Sequence, residues 1–420
     1  MNKTTKSNWP MGPLTNSARI FLAIQAIILA TLAVASMHTA GSVNERKLSP
    51  MLKDQPWQVR PLYDHPFVIA DEQLELVLQK LHPAFSQNPT KINFVDHAIR
   101  MWGEDATFDD EAFSGKRMLN LLLNNEAFST VWGSSTPLIQ KSAHGIRVNT
   151  QQGRPSVSHV DHLMGTLAEI GVPLSHPVRT PQGSDQVGSI LSHALATLRV
   201  NQREYEWTTL AAAFYAQNGK PWYSADGQLI DFNVLARRIM RQQQPQGVCY
   251  GQHRLYTLTM LLRIDDLMAA KESDRLLSSK IRKEVMTYLL SMTQRLFHSQ
   301  SPDGYWDGNW PSADEPIPDP TTDPLSRRIL ATGHVLEWWA MAPKELHPPR
   351  HTIVNAAQWL AREIEAMDQD KIEKNYTFLT HAGRALALWR CCLPAEFERQ
   401  NRKTSELASS LNQCKPRKTQ

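Results

Sequence analysis

The chain is poor in cysteine: Cys249, Cys391, Cys392 and Cys414 are all that its 420 residues hold. Adjacent Cys391 and Cys392 cannot pair without strain, and no repeated Cys-x-x-Cys spacing occurs, so no disulfide framework is expected. Stability must come from a packed core. An excess of one charge is also lacking, with 45 Lys and Arg against 41 Asp and Glu and a net charge of +4. Residues 399–420 carry Arg399, Arg402, Lys403, Lys415, Arg417 and Lys418 against Glu406, which leaves the rest about neutral. A nucleic-acid-binding body would carry a basic face, so no nucleic-acid partner is expected. The basic stretch 399–420 reads as a flexible, solvated tail. Strand-like alternation of polarity is nearly absent as well.

What is present is a chain with 41% hydrophobic and 20% charged residues, the balance of a globular protein. An apolar run from Ile20 to Met37 follows Lys3, Lys6 and Arg19. At 1.5 Å per residue such a helix nearly matches the hydrocarbon thickness of a bilayer. Positive charge ahead of it predicts a single-pass anchor at 20–37, a cytoplasmic N-terminus over 1–19 and an extracytoplasmic body. Ala33-Val34-Ala35-Ser36 has the small residues of a cleavage site, so a signal peptide releasing a secreted or periplasmic body is the alternative.

After a polar, proline-bearing linker (38–65), apolar residues recur three and four apart in segment after segment. Helices are expected over 71–81, 95–102, 116–128, 159–170, 188–200, 207–216, 232–241, 252–270, 280–297, 325–341, 351–367 and 378–391. A dozen helices in one body (66–398) fit an array of helical hairpins. Four helix starts echo one another with a small or polar residue, then His: Ser192-His193, Gln252-His253, Gly333-His334 and Thr380-His381. If the hairpins close into a ring, those imidazoles meet at one end of a central cavity.

Gln300-Ser-Pro-Asp-Gly304-Tyr-Trp306 has the form Q-x-x-x-G-x-W. It resembles the QW repeat of the α/α-toroid superfamily of squalene cyclases and prenyltransferases. The resemblance implies an all-α fold, an α/α-toroid with inner helices around a pocket, behind the N-terminal transmembrane helix. It implies no reaction. The D-x-D-D motif of class II terpene cyclases is absent; Ile264-Asp265-Asp266 and Asp109-Asp110-Glu111 only approach it. Gly247-Val-Cys249-Tyr250-Gly251 is similar to a segment of lanthionine cyclases. Gly333-His334-Val-Leu-Glu337-Trp338 is similar to a stretch of N-acylglucosamine 2-epimerases, in which an inner-helix His moves a proton at a sugar carbon.

His253, His334 and His381 are the catalytic candidates, since imidazoles suit acid/base work near neutrality, and Glu337 is placed to orient His334. Cys249 and His253, four apart, form a candidate zinc pair, with Cys249 as a small buried hydrophobe the alternative. His159 and His162 share a helix face and offer a further metal or glycan site, with Ser158 as a helix cap and Asp161 near the helix dipole. His193, Trp306 and Trp338 are ligand-binding candidates, and the acidic, aromatic segment Asp303–Trp310 could take calcium or a sugar ring. Three function classes stay open: an enzyme acting on a lipid, isoprenoid or carbohydrate, a non-catalytic binder of the same ligands, and a helical scaffold whose centre is filled by side chains.

Overall fold

The computed structural model describes residues 15–43, 49–86, 88–108, 112–202, 204–243, 248–269, 275–311 and 323–413, with side chains to Ala35 in the first helix and to Lys403 in the last. Lys3, Lys6, Asp109-Asp110-Glu111, Gly247, Cys414 and residues 312–322 of the proline-rich loop lie outside that set.

The chain divides into two units, Met1–Lys47 and Leu48–Gln420. The first contains helix α1 (Asn16–Val43). Its stretch Asn16–Ala35 has a mean hydropathy of 2.1, long and apolar enough to cross a membrane.

The second unit is mostly helical. In chain order it holds α2 (Asp71–Lys80), α3 (Ile92–Trp102), α4 (Gly115–Leu123), α5 (Asn125–Trp132), α6 (His162–Glu169), α7 (Val187–Thr197), α8 (Glu206–Tyr215) and α9 (Phe232–Arg241). Then come α10 (Gln252–Leu267), α11 (Ser279–Ser299), α12 (Pro324–Met341), α13 (Arg350–Ala366), α14 (Gln369–Lys374), α15 (Tyr376–Leu388) and α16 (Pro394–Gln413). Caps explain several starts. Ser114, Asp231, Ser278 and Asp323 each accept a backbone N–H of the first turn, and Pro324 follows Asp323 at the first helical position.

Two kinds of helix alternate. In α3, α8, α10, α12 and α15 nearly every residue is buried, and α6 is buried over His162–Ala168. Between them come helices buried along one stripe, such as α9 (Phe232, Leu235, Ala236, Ile239) and α11 (Ile281, Val285, Leu289, Met292, Leu296). The buried helices pack in order: α3 on α6, α6 on α8, α8 on α10, α10 on α12, α12 on α15, and α15 on α3. The most extensive packing is between α12 and α15, where a Cβ on Gly333 would come to 3.0 Å from the Ala382 backbone.

Three expectations change. The segment 116–128 is two helices, because Asn124 leaves the helical region and caps α5 through the Glu126 N–H. Strands do occur, as three antiparallel two-stranded hairpins: β1 (Ile139–Ser142) with β2 (Gly145–Val148), β3 (Pro177–Thr180) with β4 (Gly183–Gln186), and β5 (Trp222–Tyr223) with β6 (Leu229–Ile230). They are too short to show a period. The expected tail from 399 is helical as far as Gln413; Leu407, Ala408 and Leu411 are good helix formers in a stretch free of glycine and proline.

Gln300 ends α11. Its amide donates to the Gly304 and Thr352 carbonyls, both at 2.8 Å, and ties that end to the start of α13. Gly304 has φ +105°, and a Cβ there would meet the Asn355 carbonyl at 2.5 Å. The Trp306 indole N–H donates to the Leu296 carbonyl at 2.8 Å, and its ring packs edge-on against Trp339.

Candidate functional site

The all-round burial of these helices makes any charge on them conspicuous, because an unpaired buried charge costs several kcal/mol. Arg100 of α3, Glu169 of α6, Tyr256 of α10, Glu337 of α12 and Arg384 of α15 meet in one layer. Arg100 Nε donates to Glu169 Oε2 at 2.5 Å and Nη1 contacts Glu337 Oε1 at 2.8 Å. Arg384 donates to Glu337 Oε1 and, at 3.2 Å, to Glu169 Oε1, which also accepts the Tyr256 hydroxyl. Burial alone would push the Glu337 carboxyl up; the Arg100 and Arg384 guanidiniums hold it below its ordinary value. A second buried pair, Arg254 with Glu206 at 2.9 Å, stands nearby on α10 and α8.

Beside this layer lies a cluster of histidines from α3, α6, α10, α12, α15 and the turn before α6. The His253 and His334 Nε2 atoms are 2.9 Å apart, and the His334 and His381 ring centroids 3.8 Å. The close α12–α15 approach at Gly333 is what allows the latter. The His97 ring stacks on His162 at 4.3 Å, and His159 is 5.4 Å from His253. Among the described residues three groups of side chains bring ligand atoms within 4.8 Å of one another: His253, His334 and His381; His159, Cys249 and His253; Asp96, His97 and His162.

Hydrogen bonds assign the tautomers. Nδ1 of His334 lies 2.8 Å from the Leu330 carbonyl, and Nδ1 of His97 2.9 Å from the Asn93 carbonyl, so each must donate there. His381 Nδ1 lies 2.9 Å from Glu337 Oε2 and 3.2 Å from Arg100 Nη1; the carboxylate takes its proton. In a neutral ring the lone pair then sits on Nε2. His162 Nδ1 contacts Asp96 Oδ2 at 2.5 Å, while its buried Nε2 has no partner. Burial, with neighbouring imidazoles and guanidiniums, keeps His97, His162, His253 and His381 well below their ordinary pKa. His334 is pushed down to about 4, chiefly by burial, and burial pushes the Asp96 carboxyl up to about 6. The rings of His97, His162, His253, His334 and His381 are therefore neutral at pH 7 and rich in lone pairs.

A cavity of about 770 Å³ opens onto it. His97, His159, Cys249 and His381 lie at its buried end, Phe94, Tyr250, Leu330 and Phe378 supply apolar walls, and Lys91, Arg154 and Lys374 stand at the exposed rim. Cys249, Tyr250 and Gly251 all have positive φ (49°, 55° and 74°). A left-handed conformation costs a residue with a side chain about 1–2 kcal/mol, and such strain concentrates at functional sites. The Trp310 indole donates to the Tyr250 carbonyl at 2.8 Å and braces this turn. Burial pushes the Cys249 thiol strongly up. A smaller cavity of about 260 Å³ is bordered by Arg100, Glu169 and Arg384, so the charged layer lies between the two.

No family model matches the chain, and no curated protein or solved structure matches it.

Of the sequence candidates, His253, His334, His381 and Glu337 come together, with Cys249 beside His253. His193 does not join them: it lies within α7 and its ring bonds the Ser142 hydroxyl. Trp306 and Trp338 are core residues, 1% and 0% exposed, and neither borders the cavity. Only His253 stands at a helix start; His334 and His381 lie well inside α12 and α15. Glu337 orients His381 rather than His334, because it points across to α15. His159 and His162 join different groups instead of one chelate. Ser158 caps nothing there, and Asp161 accepts a bond from Thr208. Asp307 of the acidic segment is bound by Arg327 and Arg328, and Asp265 by Arg275 and Arg282.

Sequence reasoning missed Asp96, His97, Arg100, Glu169, Tyr256 and Arg384. Their signal is a charge or polar group inside an otherwise apolar helix, as in Phe94-Val-Asp96-His97-Ala-Ile99-Arg100-Met-Trp102.

Proposed function

We propose that this chain is a membrane-anchored enzyme whose body is an α/α-toroid and whose reaction takes place at the histidine cluster. Helix α1 serves as the anchor, with Lys3, Lys6 and Arg19 keeping the N-terminus cytoplasmic and the body outside. Support for the toroid is the cyclic order of the six buried helices and their alternation with one-sided helices. The Gln300 and Trp306 bonds at the end of α11 match what a QW-type brace would make.

The observation that carries the enzymatic reading is the meeting of His253, His334 and His381, from three helices far apart in sequence, with His381 facing a cavity of about 770 Å³. Glu337 fixes the His381 tautomer and presents its lone pair, the geometry of a base with its orienting group. A scaffold has no use for this centre, since apolar side chains of similar volume fill a core at no electrostatic cost. The cavity has the size of a small-molecule site, with aromatic walls and a few polar groups. A carbohydrate or a lipid or isoprenoid headgroup fits that lining.

The test is calorimetric titration of the full chain, in detergent, with oligosaccharides and with isoprenoid phosphates, followed by product analysis. One class should bind and be converted, and His381→Ala should abolish conversion while helicity is kept. If neither class binds, or conversion survives in His381→Ala, the reading fails.

A further inference from the structure

We propose that His253, His334 and His381 bind one divalent transition-metal ion, zinc being the best match, with the remaining coordination position open to the cavity. This deepens the proposed function by giving the same site a cofactor, and only the metal's use in a reaction rests on that reading.

The argument begins with lone pairs. His334 gives its Nδ1 proton to the Leu330 carbonyl and His381 gives its own to Glu337. Both rings therefore offer Nε2 as an acceptor. His253 points its Nε2 at that of His334, 2.9 Å away. A single N–H on His253 can serve one of those lone pairs. A metal ion serves all three rings at once. Each ring offers a nitrogen within 4.8 Å of the other two, and small ring rotations bring them to about 3.3 Å, the edge of a tetrahedral site with 2.0–2.1 Å bonds.

The backing groups fit the same chemistry. A metal-bound His almost always donates its other N–H to a carboxylate or a backbone carbonyl, which fixes the ring and raises its basicity as a ligand. Glu337 and the Leu330 carbonyl are one of each. The rings are 2–3% exposed, so the ligands need no desolvation when the ion arrives. The two Arg and two Glu of the charged layer cancel, and Zn²⁺ with a bound hydroxide adds a single charge. Imidazole-only ligation suits zinc among abundant divalent ions, whereas magnesium and calcium take oxygen. Three protein ligands and one free position make the pattern of a catalytic rather than a structural zinc site. His381 borders the cavity, so the free position faces the space where a substrate would sit. A water there would lose a proton near neutrality and become the nucleophile or base.

Cys249 belongs to the neighbouring group with His159 and His253 rather than to this one, and it is left out of the ligand set.

The experiment strips the purified full chain, in detergent, with a chelator, reloads it with Zn(II) or Co(II), dialyses it and measures metal per chain. Wild type should retain one equivalent, and Co(II) should give the intense visible bands of four-coordinate cobalt without a sulfur charge-transfer band. His334→Gln and His253→Gln should each lose the ion while keeping native helicity by circular dichroism; His193→Ala should keep it. Failure of the wild type to retain metal overturns the proposal. So does retention by the His334 and His253 variants, or a sulfur band removed by Cys249→Ser. Ligand titration separates this outcome from the broader one: a wild type that retains no metal yet still binds and converts its ligand leaves the enzyme reading standing and removes the ion.

Discussion

In the charged layer every carboxylate oxygen is met. Glu169 Oε1 accepts from Tyr256 and Arg384, and Oε2 from Arg100. Glu337 Oε1 faces Arg384 and Arg100, and Oε2 faces His381. The buried Arg384 Nε lacks an acceptor. The histidine cluster next to it is finished differently. There the Nδ1 protons of His97, His334 and His381 have acceptors, while the Nε2 atoms of His253 and His334 face each other at 2.9 Å and the buried Nε2 of His162 has no partner. A satisfied network holds a structure together; ring nitrogens that face one another or lack a partner can take a ligand. The contrast supports the proposed roles, architecture for the first layer and chemistry for the second.

The sharpest way to break this contrast is to remove one member from each layer. Arg384→Met leaves Glu169 and Glu337 sharing one guanidinium, and should cost about 3–5 kcal/mol in denaturant unfolding. His334→Gln keeps a polar group and gives up about one hydrogen bond, roughly 1 kcal/mol in the metal-free protein. Equal losses for the two variants would erase the distinction. The second effect in size is the response to zinc. At 100 times its dissociation constant a ligand that binds only the native state adds about 2.7 kcal/mol. Zinc should raise the melting temperature of wild type and of His193→Ala but leave His334→Gln unmoved.

Much of the fold could be read from the residues, because each helix carries either a one-sided stripe, as in Ile281–Phe297, or an unbroken apolar face, as in α12. The histidine quartet was only partly legible. His253, His334 and His381 sit on helices that pack on one another in sequence, α10 on α12 and α12 on α15, whereas His193 is on α7, which packs against α8 and the β1–β2 hairpin. Sequence shows that a His precedes an apolar run and not which helix lies inward. The charged layer was invisible for a related reason: Arg100 and Glu169 are 69 positions apart, and nothing local to either announces the other. The hairpins escaped notice because two to four residues per strand carry no period.

A third comparison sets the end of α11 against its middle. Gln300→Ala removes two donated hydrogen bonds and leaves the Gly304 and Thr352 carbonyls without that donor. Its cost should be about 1–3 kcal/mol. Exposed Lys283→Ala, one face of the same helix away, should change stability by no more than about 0.5 kcal/mol. Melting curves of the two variants test whether Gln300 is a brace or merely a polar residue at a helix end.

The effect confined to acid pH concerns a histidine outside both layers. His347 lies 2.9 Å from the Trp339 carbonyl and 3.2 Å from that of Ala342, and burial pushes its pKa down to about 4. An unfolded His takes up its proton near pH 6.5. Between those values the unfolded chain binds a proton that the native one refuses, so His347 contributes fully above about pH 6.5 and loses that contribution as the pH falls toward 4. The slope from this one residue is about 1.4 kcal/mol per pH unit. His347→Asn keeps an N–H for the two carbonyls and cannot titrate. It should therefore flatten the acid limb of the stability curve by up to that slope and leave zinc retention unchanged. An identical acid limb in the variant would mean that His347 is protonated in the native state, with its desolvation already offset by the two carbonyls.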